Sequence, residues 1–173
     1  MKGQVIGKSM LYGYAGSYSR QPDMIVDTHP LGGTEELLFG APVANGANGA
    51  VEAWKTTTTA NQFMGIAVRG VKSALDFLNQ NEGVFRPGEA VPVLKRGCVN
   101  VICQVGTPAA GGKVYIRIKK NEAKPNAVVG GFEAAEDKTE TEVYTAVLTN
   151  AQWKGAADAN GVAELCILTR NHA

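Results

Sequence analysis

The chain has little of what most catalytic sites are built from. Its 173 residues include two histidines, His29 and His172. A histidine-based triad would have to use one of them. His29 precedes a proline in an expected loop, and His172 stands next to the C-terminal residue. No serine occupies a Gly-x-Ser-x-Gly elbow, and neither HxH nor HExxH occurs. The three cysteines, Cys98, Cys103 and Cys166, form no CxxC pair. Their scatter argues against a zinc site, and their odd number predicts no disulfide framework and folding in a reducing compartment. The sequence therefore predicts no catalytic residue, no metal site and no cofactor.

Charge excess is also missing. Seventeen Lys+Arg face sixteen Asp+Glu, a formal net charge of +1. Nucleic-acid and membrane-surface binders carry a strong basic surplus, so neither is an expected partner. No apolar run approaches the length of a membrane span. The opening "MKGQVIGKSM" has a lysine but no apolar stretch behind it, unlike a secretory signal. A soluble protein made in the cytosol is expected. Aromatic residues make up 7%, thin for a sugar- or base-stacking platform.

What the chain does have is glycine and alternation. The 21 glycines are spread along the sequence rather than gathered in a linker. "VANGANGAV" (43–51) holds two Asn-Gly pairs and "DANGVAEL" (158–165) a third, the dipeptide that two-residue hairpin loops favour. "VPVLKRGCVNVICQV" (91–105) puts Val91, Val93, Val99, Val101, Cys103 and Val105 on one face and Arg96, Asn100 and Gln104 on the other. It reads as one half-buried strand, or two broken near Gly97. "KVYIRIKK" (113–120), "TEVYTAVLTN" (141–150) and "VAELCILTR" (162–170) alternate similarly. Helical signals are weak: one turn within "TTANQFMG" (58–65), and "SALDFLNQ" (73–80), which reads equally as strand. The prediction is a single all-β domain of many short strands over residues 31–173, with little helix. A chain of this length buries roughly 70% of its unfolded surface without a covalent staple.

Two segments look like sites and read better as turns. "GTPAAGGKV" (106–114) has the glycines and lysine of a phosphate loop. However, Gly112 separates Gly111 from Lys113, Val114 replaces the hydroxyl residue, and a strand follows instead of a helix. "DANG" (158–161) lacks the later ligands of a calcium loop. Charge is locally uneven. Lys113, Arg117, Lys119, Lys120 and Lys124 form a basic run; Glu133, Glu136, Asp137, Glu140 and Glu142 form an acidic one. Both read as solvated faces whose opposite signs matter only between subunits, in which case salt would weaken the assembly.

Residues 1–30 show no sustained alternation and carry Tyr12, Tyr14, Tyr18 and Arg20 among glycines and serines. They read as an extended arm, either wrapped on its own barrel or lying on a partner, where tyrosine gives large contact area at low entropy cost. Arg69 in "FMGIAVRGVKS" (63–73) reads as structural. It is expected to pair with an acid or cap backbone carbonyls, within the chain or across a subunit boundary.

Taken in order, "LFGAPV" (38–43), "QFMGIAVRGVKS" (62–73), "FRPGEAVPVLKRGCVNV", "GTPAAGGKVYIRI", "VGGFEAAED" (129–137) and "LTNAQWKGAADANGVAELCILTRN" (148–171) resemble the structural cement proteins of bacteriophage heads. The resemblance spans most of the chain and is weakest over 1–30 and 44–58. It implies a non-enzymatic capsid decoration protein on a small antiparallel β-barrel or sandwich-like domain. Its expected partners are the major capsid protein and itself, as a homotrimer. Its expected place is the outer capsid surface of the virion, after synthesis in the bacterial host cytoplasm. Tyr12, Tyr14, Tyr18, Arg20 and Arg69 are the expected partner-binding residues. The alternative is a carbohydrate- or receptor-binding β-module of a phage tail or spike, which needs Trp54, Trp153 and the tyrosines gathered on one exposed face. A small hydrolase on a β-barrel is disfavoured by the missing histidines.

Overall fold

The computed structural model describes residues 11–70 and 83–170. The predicted element at 73–80, the Val71–Ser73 end of the stretch around Arg69, His172 and residues 1–10 of the arm lie outside the described residues. The strands are β1 (Ile25–Pro30), β2 (Leu37–Leu38), β3 (Pro42–Asn45), β4 (Val51–Ala53), β5 (Phe63–Ala67), β6 (Val84–Phe85), β7 (Ala90–Val105), β8 (Lys113–Arg117), β9 (Phe132–Glu133), β10 (Thr145–Trp153) and β11 (Val162–Ile167). Among the described residues the helical segments are two 3-10 turns, Ala47–Gly49 and Ala60–Gln62. The second is the turn expected within 58–65, closed by reciprocal Thr59 and Gln62 hydrogen bonds. The all-β reading holds.

The long strand β7 organises both halves of the molecule. Its second half closes a five-stranded barrel in the order β7–β11–β10–β8–β9. Its first half pairs with β1 and with β5, and β5 leads on to β3 and β4. A parallel bridge from Leu31 to Val51 ties the end of β1 back to β4. Two cores result. The barrel encloses Val99, Val101, Val114, Ile116, Leu148, Trp153 and Leu165; the other half encloses Leu31, Val43, Val51, Phe85, Val91 and Val93. Burying each such side chain stabilises the fold by about 1.5–3 kcal/mol relative to exposure.

The choice between one strand and two near Gly97 resolves as one strand with a handover. β1 pairs up to Arg96 and β11 begins at Gly97. Gly97 has φ +115°, and a Cβ there would lie 2.6 Å from the Asp23 carbonyl oxygen. Only glycine lets the incoming chain pass so close.

Several local expectations change. The Asn-Gly hairpin between β3 and β4 closes with a five-residue loop, in which Asn48 (φ 54°) and Gly49 (φ 76°) take the left-handed conformation. "LFGAPV" divides between β2 and β3. His29 lies in β1, opposite Val91, and not in a loop. Pro30 ends that strand, where a missing N–H is tolerated. Within residues 1–30, therefore, the last six form a strand of the sheet. The stretch 106–112 is a turn into β8, as expected, with Gly112 N–H donating to Ala109 O at 2.8 Å.

The charge runs are corrected most. Arg117, Lys119 and Lys124 of the basic run meet Glu133, Asp137 and Glu142 of the acidic run within the chain. Arg117 is fully buried and donates through Nε to Glu133 Oε1 at 2.5 Å and through Nη2 to Asp137 Oδ2 at 2.7 Å. Lys124 and Asn121 complete the ring around Asp137 at 3.1 Å each, and Lys119 pairs with Glu142. Burial pushes the Glu133 carboxyl above its ordinary range, against the opposing pull of Arg117. Burial also acts to raise Asp137, but hydrogen bonds from Arg117, Asn121 and Lys124 outweigh it and hold that carboxyl below the usual range. Strand alternation assigned Arg117 to a solvated face. Glu133 in β9 and Asp137 beyond it engage the guanidinium on that face and make it an interior.

The cysteine expectation is corrected too. Cys98 and Cys166 face each other in the β7–β11 ladder and form a disulfide, with Cα atoms 4.0 Å apart. Sixty-eight residues separate them in sequence, so no local spacing signals the pair.

Candidate functional site

The arm lies along β7, on the edge facing away from β11. Gly16 N–H donates to Asn100 O at 2.8 Å, Asn100 N–H to Ser17 O at 3.0 Å and Ser19 N–H to Cys98 O at 3.1 Å. Tyr18 and Val99 make an antiparallel bridge. These bonds use the backbone groups of Cys98 and Asn100, while the register with β11 runs through the same stretch. Over three residues β7 is thus a central strand between arm and barrel.

Side chains fasten the arm further. Asn100, buried, donates through Nδ2 to Tyr12 O at 2.8 Å and to Ser17 Oγ at 2.9 Å. Tyr12 N–H donates to Asp158 Oδ2 at 2.9 Å, and the other oxygen of Asp158 accepts the amides of Asn160 and Val162. "DANG" is therefore a turn that also receives the arm. Arg20 grips Glu164 with two prongs, Nε to Oε1 at 2.5 Å and Nη2 to Oε2 at 3.0 Å. Arg20 is 68% exposed and Glu164 only 4%. Burial acts to raise the Glu164 carboxyl, yet hydrogen bonds from Arg20 and Ser19 leave it below the usual range.

Of the expected partner-binding residues, the structure joins Tyr14 and Arg69 directly. The guanidinium sits 4.8 Å from the Tyr14 ring centroid and donates to its hydroxyl, while Arg69 N–H donates to Gly16 O at 2.9 Å. An aromatic hydroxyl thus takes the place of the expected acid or carbonyl for the guanidinium. Tyr12, Tyr18 and Arg20 are spread along the arm: Tyr12 is held by Asn100 and Asp158, Tyr18 bridges Val99, and Arg20 is held by Glu164. The sequence alone does not mark Asn100, Asp158 or Glu164 as receptors. For Asn100 and Glu164 the available signal is a polar or acidic side chain inside an apolar strand run; Asp158 carries only a turn signal.

Beside the arm lies a cavity of about 200 Å³ lined by Ala15, Leu38, Trp54, Ile102, Val128 and Phe132 among others. Three of these are strongly exposed: Leu38 at 60%, Ile102 at 49% and Val128 at 55%. They come from β2, β7 and the loop before β9. Trp54 and Trp153 are both buried and supply no exposed stacking face. Cys98, Glu164 and Cys166 bring their donor atoms within 4.8 Å of one another. The two sulfurs are bonded together and the carboxylate is held by Arg20, so those donors are already engaged.

A family model described as structural cement protein (E217 gp24/Pam3 gp6) matches residues 2–168. A solved chain from the capsid of Myoviridae phage XM1 has the same fold, with a TM-score of 0.66, 15% sequence identity and 98% of each chain covered. No curated protein matches this chain.

Proposed function

The chain belongs to the phage structural cement proteins, and we propose that it binds the outer surface of an assembled head as a homotrimer and holds neighbouring major capsid proteins together. The family's role is structural and lies in the phage capsid. The finer reading, of trimer, outer surface and lattice stabilisation, rests on physical argument. A ligand that binds the assembled lattice and not its free subunits stabilises the lattice as RT ln(1 + [L]/Kd), with no bond made or broken. A cyclic trimer repeats each contact three times, so contacts that are weak singly gain avidity.

The observation that carries the reading is the pairing of a closed barrel with an arm fastened by backbone bonds to β7 and by the buried side chains of Asn100 and Glu164. Tyr18 and Met24 of the arm pack against the barrel core, while the outer side of the arm remains available to a neighbour. Tyr14, Arg20 and Arg69 are exposed there, and Leu38, Ile102 and Val128 form an exposed apolar rim around the cavity that Ala15 of the arm also lines. That combination of aromatic, arginine and aliphatic side chains suits a protein interface. The alternative of a carbohydrate-binding module loses support because both tryptophans are interior.

Sedimentation of the purified protein alone, then with undecorated heads, tests the proposal. The free protein should run as a trimer and should pellet with heads at a saturable, symmetric stoichiometry. A monomer that never pellets with heads would refute it.

A further inference from the structure

Barrel strands alternate, and the faces of β7 and β11 that point away from the core carry two register pairs side by side, Asn100 with Glu164 and Cys98 with Cys166. The arm contacts both pairs. Ser19 N–H donates to Cys98 O, Ser17 and Tyr12 engage Asn100, and Arg20 engages Glu164. Because the backbone groups of Cys98 serve the arm, Cys98 and Cys166 form a non-hydrogen-bonded pair, the class in which side chains approach most closely. The seam they span is the one that closes the barrel, between the central strand and the last strand described.

We propose that Cys98 and Cys166 form a redox clasp: a dithiol while the chain is in a reducing cytoplasm, and a disulfide once it meets an oxidising medium, locking the barrel seam and the platform under arm residues 16–20. The chemistry needs an oxidant, for which a small disulfide such as glutathione disulfide serves. Cys98 is partly exposed and Cys166 is buried, so Cys98 is the point of entry. Its thiolate attacks the small disulfide, forming a mixed disulfide and releasing one glutathione thiolate. The Cys166 thiolate then attacks the Cys98 sulfur, closing the protein bond and releasing the second glutathione. Two protein thiols lose two protons and two electrons, and one glutathione disulfide becomes two glutathione thiols. Cys103 stands apart. It is a free cysteine whose thiol is pushed up by burial, so little of it is thiolate at neutral pH.

The clasp has two consequences. A cross-link over 68 residues removes much freedom from the unfolded chain, enough to raise the melting temperature of a protein this size by about 10 °C. It also fixes β11 against β7, so the receptors for Ser19 and Arg20 keep their spacing. The timing, reduced in the producing cell and oxidised after particle release, rests on the virion reading; the chemistry does not. The test therefore uses the purified protein without heads.

The full chain is reduced, then exposed to glutathione disulfide. Titratable thiols should fall from three to one, the mass should drop by two hydrogens, and peptide mapping should join Cys98 to Cys166. Oxidation should raise the melting temperature by about 10 °C and slow amide exchange over residues 16–20. Cys98→Ser should remove both responses. Three titratable thiols in the oxidised folded protein, a bridge through Cys103, or a bond that forms without moving either readout would each overturn the clasp. All of these are read on the natural chain, whether or not the serine variant folds.

Discussion

Arg20 and Glu164 lie 144 residues apart in the chain and form a two-pronged ion pair, one partner in solvent and the other almost entirely covered. Such a pair is asymmetric. Removing the exposed arginine uncovers a buried carboxylate, whereas removing the carboxylate leaves an arginine that water solvates. Arg20→Ala should therefore loosen the arm, seen as faster amide exchange and earlier protease cleavage within residues 11–20. Arg20→Ala with Glu164→Gln should recover part of the loss. Equal protection in Arg20→Ala and the natural chain would show that backbone bonds alone hold the arm.

The buried triad behaves differently. Arg117→Met leaves Glu133 and Asp137 side by side in the interior without their guanidinium. Breaking such a pair costs about 3–5 kcal/mol, a fall of roughly 10 °C in melting temperature for this size of chain. Lys119→Ala removes an exposed partner of Glu142 and should barely move it. Because the triad is out of solvent, added salt should leave the Arg117 effect intact. Calorimetry at low and high salt distinguishes the two positions.

Acid should destabilise the protein through the same groups. Asp137 and Glu164 bind protons less readily folded than unfolded, so their stabilising contribution is complete above the ordinary carboxylate range. It is lost as pH falls below about 4, where the unfolded chain takes up more protons. Glu133 has the opposite sign: its raised pKa favours the protonated folded form and offsets part of the loss. Melting temperature should therefore fall as pH drops below about 4. In Asp137→Asn, already less stable at neutral pH, the fall should be shallower. An identical pH slope in the variant would remove Asp137 from this account.

Gly97→Ala should cost about 1–3 kcal/mol, since alanine is strained at a φ of +115° and its methyl would meet the Asp23 carbonyl. The denaturant midpoint reports this directly. Gly88, also at positive φ but with open space around a Cβ, provides the control for strain without a clash.

Legibility in the sequence divides along a physical line. Alternation located β7, β8, β10 and β11 because a half-buried strand must repeat every two residues. Glycine and Asn-Gly located the turns because only they take positive φ cheaply. What alternation does not encode is what folds over a strand's second face. Arg117 was assigned to solvent because its strand neighbours alternate correctly, yet residues 133–137 cover it. Cys98 and Cys166 were separated for the same reason, since their meeting depends on β7–β11 register and not on local spacing. The arm's tyrosines and arginines were visible as unusual composition. Their receptors, Asn100, Asp158 and Glu164, became visible only once the strands were in place.

The central claim is that this chain acts by tying a shell together. Thermal disruption of undecorated heads, measured with and without saturating purified protein, tests it most directly. The account predicts that decorated heads break at a higher temperature, rising with protein concentration as linkage requires. Heads that break at the same temperature at every protein concentration would contradict it.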